Sequence, residues 1–182
     1  MAPADERECR QMLSTGLTID GPSSVRYPRG RGPGVTPEKS LETLPIGKAE
    51  VRREGKKVAL LAFGTMVEPA EIIAEELDAT VVNMRFVKPL DEALIKEIAE
   101  RHEKLITIEE NVIAGGAGSA VAEALSAMGI ERPLLHIGLP DSFIHHGERD
   151  EQLQLVGLDS NGIRNRITNW LNLEVASPAT TQ

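Results

Sequence analysis

Residues 58–84, VALLAFGTMVEPAEIIAEELDATVVNM, decide the fold. The run Val58–Phe63 is apolar at every position and ends at Gly64, which is typical of a strand buried on both faces of a sheet. Pro69 suits the first turn of a helix, whose apolar face recurs at helical spacing through Ala70, Ile73, Ala74 and Leu77. Thr80–Met84 predicts the next strand. A strand, a helix and another strand in this order indicate a parallel sheet covered by helices.

The same alternation extends through the rest of the chain. Further strands are predicted at Ala49–Arg53, Leu105–Ile108 and Leu134–Leu139, and further helices at Asp91–His102, Ala117–Met128, Asp150–Leu155 and Gly162–Leu173. We therefore predict an α/β fold of three layers, in which helices cover both faces of a mostly parallel, five-stranded sheet.

The first 45 residues lack this regularity. Residues 5–14 predict a helix with no strand before it, and Ser24–Tyr27 predict a short strand. Residues 31–45 are rich in Gly and Pro, which is typical of a linker. The first 30 residues have too few apolar side chains to form a core, so we expect them to be the edge of a larger domain.

The composition excludes several classes of function. The chain has 182 residues, 28 acidic and 20 basic side chains, a net charge of -8, and only three Phe, one Trp and one Tyr. A reader of single-stranded nucleic acid needs a basic groove and several stacking aromatic rings, so we expect no nucleic-acid partner. No apolar run approaches the roughly 20 residues of a membrane span. The single cysteine cannot form an internal disulfide, and the first ten residues are charged, so we expect a soluble cytoplasmic protein.

A group of arginines stands out from this acidic background. Arg26, Arg29 and Arg31 lie in a stretch that contains no acid between Asp20 and Glu38. Guanidinium groups match the oxygens of phosphate and carboxylate, which makes the group a candidate anion site. The alternative is a solvated turn that carries surface arginines.

A glycine-rich segment, residues 115–120 (GGAGSA), follows a strand and opens a helix. The N–H groups and the dipole at such a helix start could hold a phosphate, which makes Gly115, Gly116 and Gly118 candidate binding residues. Val121, however, stands where a dinucleotide motif has its third glycine, and two strand–helix units precede the segment. The alternative is that the glycines allow the helix start to pack closely against a neighbouring backbone.

Glu109, Glu110 and Asn111 follow the strand just before these glycines, on the edge of the sheet where ligands usually bind. Two carboxylates could act as general acid and base. Adjacent residues on a strand point to opposite faces, however, so the sequence favours a role in capping the next helix or in an interface.

The histidines and the cysteine offer weaker candidates. His145 and His146, with Glu148, could contribute to a metal site, but no second ligand motif accompanies them, and a solvated loop is favoured. We interpret His102 and His136 as structural. Cys9 has no evident base beside it and is expected to be inert.

Several segments, taken in order, resemble the 1-deoxy-D-xylulose-5-phosphate synthases. Residues 8–13 (ECRQML) and 20–30 (DGPSSVRYPRG) resemble the end of the pyrimidine-binding domain of that family. The segments that resemble its transketolase-type C-terminal domain are 44–48 (LPIGK), 63–65 (FGT), 83–91 (NMRFVKPLD), 109–111 (EEN), 115–119 (GGAGS) and 137–141 (IGLPD).

The resemblance implies a division of the chain. Residues 1–30 would be a helix–strand remnant of the pyrimidine-binding domain, 31–45 a linker, 46–175 a transketolase C-terminal-type domain, and 176–182 a disordered tail. It also implies that the five-stranded sheet has an antiparallel edge strand. The His145–His146 loop departs from the family pattern, which we interpret as loop variation.

The resemblance also implies a chemistry for the parent enzyme. That enzyme would be a transferase of isoprenoid and thiamine biosynthesis, a homodimer that uses thiamine diphosphate and Mg2+ to join pyruvate, with loss of CO2, to glyceraldehyde 3-phosphate. The second arginine of the family's RYPRG motif, here Arg29, is placed to bind the substrate phosphate, with Arg26 as a weaker candidate. The family's metal, diphosphate and catalytic motifs do not occur in this sequence. We therefore expect no catalytic, cofactor or metal residue here, and an inactive C-terminal fragment.

Two other functions stay open on the sequence alone. The chain could be a stand-alone nucleotide-binding module that uses Gly115–Ser119. It could also be a docking and dimerisation domain without a ligand, in which case exposed apolar surface is expected.

Overall fold

A computed structural model describes residues 1–175 of the chain, except for the side chains of residues 173–175. The disordered tail predicted for residues 176–182 lies outside this range. The strands are β1 (Glu50–Arg53), β2 (Val58–Ala62), β3 (Ala79–Asn83), β4 (Leu105–Val112) and β5 (Leu134–Leu139). The helices are α1 (Glu6–Gly16), α2 (Val67–Ala74), α3 (Glu92–Arg101), α4 (Ala117–Ala127), α5 (Arg149–Leu155) and α6 (Ser160–Val175). None of these helices is long and apolar enough to cross a membrane.

The five strands form one sheet in the order β1-β3-β2-β4-β5. Strand β1 runs antiparallel to β3, and the other three pairings are parallel. Every residue of β2 and β3 is buried, as expected for central strands covered on both faces. The prediction of a mostly parallel sheet with an antiparallel edge strand is therefore confirmed.

Two helical layers cover the sheet, and the side chains of β2 alternate between them. Leu60 packs in the apolar cluster that includes Ile73 of α2 and Ile163 of α6. The next residue, Leu61, packs in the opposite cluster with Ile98 of α3 and Val121 of α4. Successive strand side chains point to opposite faces, so the continuous apolar run 58–63 supplies both cores at once.

The predicted strand at Ser24–Tyr27 is wrong, because these residues belong to no strand. Their backbone pairs only with residue 1: Arg26 N–H donates to the Met1 carbonyl at 2.9 Å, and the Met1 amino group donates to the Ser24 carbonyl at 2.8 Å. An extended segment without a sheet edge to join cannot form a ladder.

The predicted linker has neither helix nor strand, but it is held along α1. The Glu6 carboxylate accepts hydrogen bonds from Gly34 N at 3.0 Å and Val35 N at 3.1 Å, and Thr15 Oγ1 accepts one from Leu44 N at 2.8 Å. Hydrogen bonds from its own N–H and from Gly34 and Val35 lower the pKa of Glu6. Such contacts leave no periodic pattern, so sequence reasoning missed them.

Candidate functional site

The candidate site is a cleft at the carboxyl ends of β2 and β4. The chain leaves β2 toward β3 on one side and later returns to β4 on the other, and ligands of open α/β sheets bind at such switch points. The cleft encloses about 900 Å³, and residues 24, 26, 27 and 28 form part of its wall. Its polar and glycine lining includes Arg26, Thr65, Lys88, Glu109, Glu110, Asn111, Gly115 and Gly116. The structure thus brings Arg26 together with candidate residues from the sequence, namely Glu109, Glu110, Asn111, Gly115 and Gly116.

Glu109 caps helix α4. Its carboxylate accepts hydrogen bonds from Ala117 N at 2.7 Å and from Gly118 N at 2.8 Å, and the residue is only 3% exposed. A carboxylate at a helix N-terminus satisfies free N–H groups and complements the helix dipole. The Glu109 carboxylate therefore occupies the start of α4, where the sequence suggested that a phosphate could bind.

The glycines of this turn serve close packing. A Cβ on Gly116 would lie 2.4 Å from the Val112 carbonyl oxygen, and one on Gly118 would lie 2.4 Å from Thr107 Oγ1. Gly115 has φ +70°, a conformation that favours glycine. Because Glu109 occupies two of the N–H groups, the geometry disfavours the nucleotide-binding alternative and agrees with the packing alternative.

Glu110 points away from Glu109 and joins three parts of the chain. Its carboxylate accepts hydrogen bonds from Thr65 Oγ1 at 2.7 Å and from Arg149 Nε at 3.2 Å and Nη2 at 2.5 Å. Arg149 Nη2 also donates to Thr65 Oγ1 at 3.0 Å. The Glu110 carbonyl accepts two hydrogen bonds from the Arg26 guanidinium, both at 3.1 Å. Sequence reasoning missed Thr65 and Arg149, since they lie 45 and 39 positions from Glu110 and no local pattern connects them to it.

Arg29 lies beside this cleft rather than in its lining. Its side chain is exposed, and it makes no hydrogen bond or ion pair with residues 1–172, whose side chains the structure describes. The next residue, Gly30, faces Arg149, whose Cδ would lie 3.8 Å from a Cβ built on that glycine. Arg29 is thus an exposed cation that lies between Arg26, which binds the Glu110 carbonyl, and Gly30, which lies beside Arg149.

A second, more apolar groove of about 700 Å³ lies between α1 and residues 27–41; we call it the α1 groove. Leu13, Leu17, Tyr27 and Leu41 line it with side chains that are 51%, 89%, 58% and 73% exposed. Exposed large apolar residues in one patch are typical of a surface that another protein segment covers.

The histidines and the cysteine make no site among the residues described. His102 Nδ1 lies 3.0 Å from the Ile98 carbonyl oxygen, and its Nε2 lies 2.9 Å from Thr80 Oγ1, so this buried ring joins α3 to β3. His136 Nδ1 lies 2.7 Å from Thr107 Oγ1. Burial and the charge of Glu6 raise the pKa of the Cys9 thiol, which lowers its reactivity.

His145 and His146 are both exposed. Over the described part of the chain, no three side chains of His, Cys, Asp or Glu are grouped so that they could hold a metal ion.

Comparison with known proteins finds a matching family model and similar synthases. The model of the family "Transketolase, C-terminal domain" matches residues 47–163. The chain is 62% identical over 172 residues to a 1-deoxy-D-xylulose-5-phosphate synthase of Thioalkalivibrio sulfidiphilus, covering 94% of the chain and 27% of that protein. It is 58% identical over 170 residues to the synthase of Nitrosococcus oceani, covering 93% of the chain and 27% of that protein. The chain therefore spans about a quarter of the length of these relatives.

A solved structure has the same fold. A chain described as "Split gene transketolase, inactive beta4 tetramer" superposes with a TM-score of 0.81 and 32% identity, over 94% of this chain and 57% of that one. The similarity includes residues on both sides of position 46, so the N-terminal segment and the sheet domain are found together in that protein as well.

Proposed function

This chain belongs to the transketolase C-terminal domain family, and we propose that it forms the C-terminal part of a 1-deoxy-D-xylulose-5-phosphate synthase. The observation that carries the proposal is the 62% identity to such a synthase across 94% of the chain. In this proposal the whole enzyme is a cytoplasmic homodimer. It joins pyruvate to glyceraldehyde 3-phosphate, with loss of CO2, to form 1-deoxy-D-xylulose 5-phosphate.

The residues described here do not fit the cofactor of that reaction. The described side chains, those of residues 1–172, offer no three-ligand group for Mg2+, and Glu109 already occupies the helix N-terminus that would suit a diphosphate. We propose that the rest of the synthase holds thiamine diphosphate and Mg2+, and that this chain alone is inactive.

The proposed contribution of this chain is twofold. Residues 1–45 pack the chain against the rest of the enzyme, and the exposed apolar side chains of the α1 groove support this role. Arg29 binds the phosphate of glyceraldehyde 3-phosphate, and its exposed, unpaired guanidinium beside the cleft supports that assignment.

A chimera tests the proposal. The chain would replace the matching C-terminal 27% of the Thioalkalivibrio sulfidiphilus synthase. We expect the chimera to form 1-deoxy-D-xylulose 5-phosphate from the two substrates, and the 182-residue chain alone to form none. Mass spectrometry of the product measures both. Turnover by the chain alone would contradict its proposed inactivity, whereas a folded but inactive chimera would contradict the assignment to the synthase.

Arg29→Ala in the chimera is expected to weaken the use of glyceraldehyde 3-phosphate. Losing a charge-assisted, bidentate contact costs about 2–3 kcal/mol, or roughly 30- to 150-fold in kcat/KM for that substrate. The KM for pyruvate should change far less, because pyruvate has no phosphate. Steady-state kinetics with each substrate varied in turn measures the difference.

Arg7→Ala is the matched control, since Arg7 is a half-exposed arginine of the same segment whose ion-pair partner, Glu38, is 4.0 Å away. It should leave both substrates unaffected. Equal losses for the two substrates in Arg29→Ala would remove Arg29 from the phosphate site.

A further inference from the structure

We propose that Thr65, Glu110 and Arg149 position Arg29 for the substrate phosphate, acting from the sheet domain across the cleft. The inference rests on the proposed function, because it takes Arg29 as the phosphate-binding residue. It adds three residues that lie 36 or more positions away in the sequence and do not themselves need to touch the substrate.

The turn that carries Arg29 is held on both sides of that residue. Three positions before it, the Arg26 guanidinium donates two hydrogen bonds, each of 3.1 Å, to the Glu110 carbonyl. One position after it, Gly30 lies beside Arg149, whose Cδ would be 3.8 Å from a Cβ built on the glycine. Between these contacts lies Pro28, whose ring restricts the backbone. These contacts restrict residues 26–30, while the Arg29 side chain stays exposed.

Both contacts involve residues that form one ion pair: Arg26 binds the backbone carbonyl of Glu110, and Gly30 lies beside the side chain of Arg149. Glu110 and Arg149 are joined at 2.5 Å, and their side chains are 23% and 26% exposed. Charges that are removed from water to this extent are screened less than surface charges. Thr65 Oγ1 donates to the carboxylate and accepts from Arg149, which fixes the orientation of both groups. The Glu110–Arg149 ion pair is therefore held in one geometry beside residues 26–30.

The sheet explains why the Glu110 carbonyl is available to Arg26. The pairing of β4 with β5 is regular up to Ile108 and resumes at Val112, so residues 109–111 lie in an irregularity of the ladder. Backbone groups in such an irregularity are released from strand pairing. In the regular part of β4 the carbonyls of Lys104 and Ile108 face β2 and accept from Ala59 and Phe63, so by alternation the Glu110 carbonyl lies on the β2 side of the strand. Because β2 ends at Ala62, this carbonyl can accept from the N-terminal segment.

The first test measures the order of the turn in the chain itself. Trypsin cleaves after arginine, and the rate of cleavage at Arg29–Gly30 reports how often the turn opens. Glu110→Gln, which removes the charge opposite Arg149, should increase this rate about tenfold, the equivalent of one lost charge-assisted contact. Thr65→Val, which removes only the hydroxyl, serves as the second variant if Glu110→Gln does not fold. Glu97→Gln is the control, because Glu97 forms an exposed ion pair with Arg101 on α3.

The second test separates positioning from a structural role. In the chimera, Glu110→Gln or Thr65→Val should raise the KM for glyceraldehyde 3-phosphate about tenfold and leave the KM for pyruvate within about twofold. Unchanged trypsin cleavage, or equal effects on both substrates, would overturn the inference. If Arg29→Ala impairs phosphate binding and these variants do not, the inference fails and the proposed function stands. An inactive wild-type chimera would remove both.

Discussion

Replacing Glu8 by alanine is expected to lower the free energy of unfolding of the chain by about 3–5 kcal/mol. Glu8 is 3% exposed, and its carboxylate accepts hydrogen bonds from Ala4 N at 2.9 Å, Asn83 Nδ2 at 2.8 Å and Arg85 Nε at 2.6 Å. Removing it leaves the partly buried Arg85 without its closest counter-charge and Asn83 without an acceptor. Breaking a buried pair from one side has a larger effect than the pair's net contribution to stability.

The same pair connects α1 to the end of β3. Arg85 has φ +56°, a left-handed conformation that costs a non-glycine residue energy, and its Nη2 also donates to Glu50 at 2.7 Å. These contacts hold the strained residue in place. Urea unfolding followed by circular dichroism measures the change. Glu97→Ala, at an exposed position of α3, is the control and should stay within about 0.5 kcal/mol. A loss below about 1 kcal/mol for Glu8→Ala would show that α1 is held mainly by its apolar contacts.

Glu109→Ala should have the next largest effect, a loss of about 3–4 kcal/mol, because it leaves two buried N–H groups of α4 without an acceptor and removes a charge from the helix N-terminus. Glu109→Gln keeps one acceptor oxygen and should cost about half as much. The same urea measurement applies.

Glu123→Ala gives the matched control, since Glu123 is an exposed residue of the same helix. It should change stability by less than about 0.5 kcal/mol. A Glu109→Ala variant with unchanged stability and saturable phosphate binding would contradict this assignment. It would instead support a phosphate site at the start of α4.

Glu109 and its neighbour Glu110 act differently in this fold. Glu109 points to the α4 side of the sheet and serves the helix start, whereas Glu110 points to the opposite side and pairs with Arg149. The period of two along a strand predicts that they separate. The partner of Glu110 is 39 positions further along the chain, and no local pattern connects the two.

Much of the fold follows from the sequence because it depends on local patterns. The apolar run 58–63, the helical spacing after Pro69 and the glycine turns predict the central strands, the helices and the layers, and the structure agrees. The prediction at Ser24–Tyr27 failed since strand formation needs a pairing edge as well as suitable residues. The family was also predicted from the sequence, through motifs that lie in order along almost the whole chain.

The sequence by itself determined the α/β class and the family, because periodicity and ordered motifs are properties of neighbouring residues. Only the tertiary structure decided what the charged groups do. Glu8 meets Arg85 across 77 positions, and Arg26 meets Glu110 across 84. Such pairs depend on how strand ends and helices come together in space, and a charged side chain accepts many partners. The partner of each group is decided only when folding brings residues that are distant in the sequence into contact.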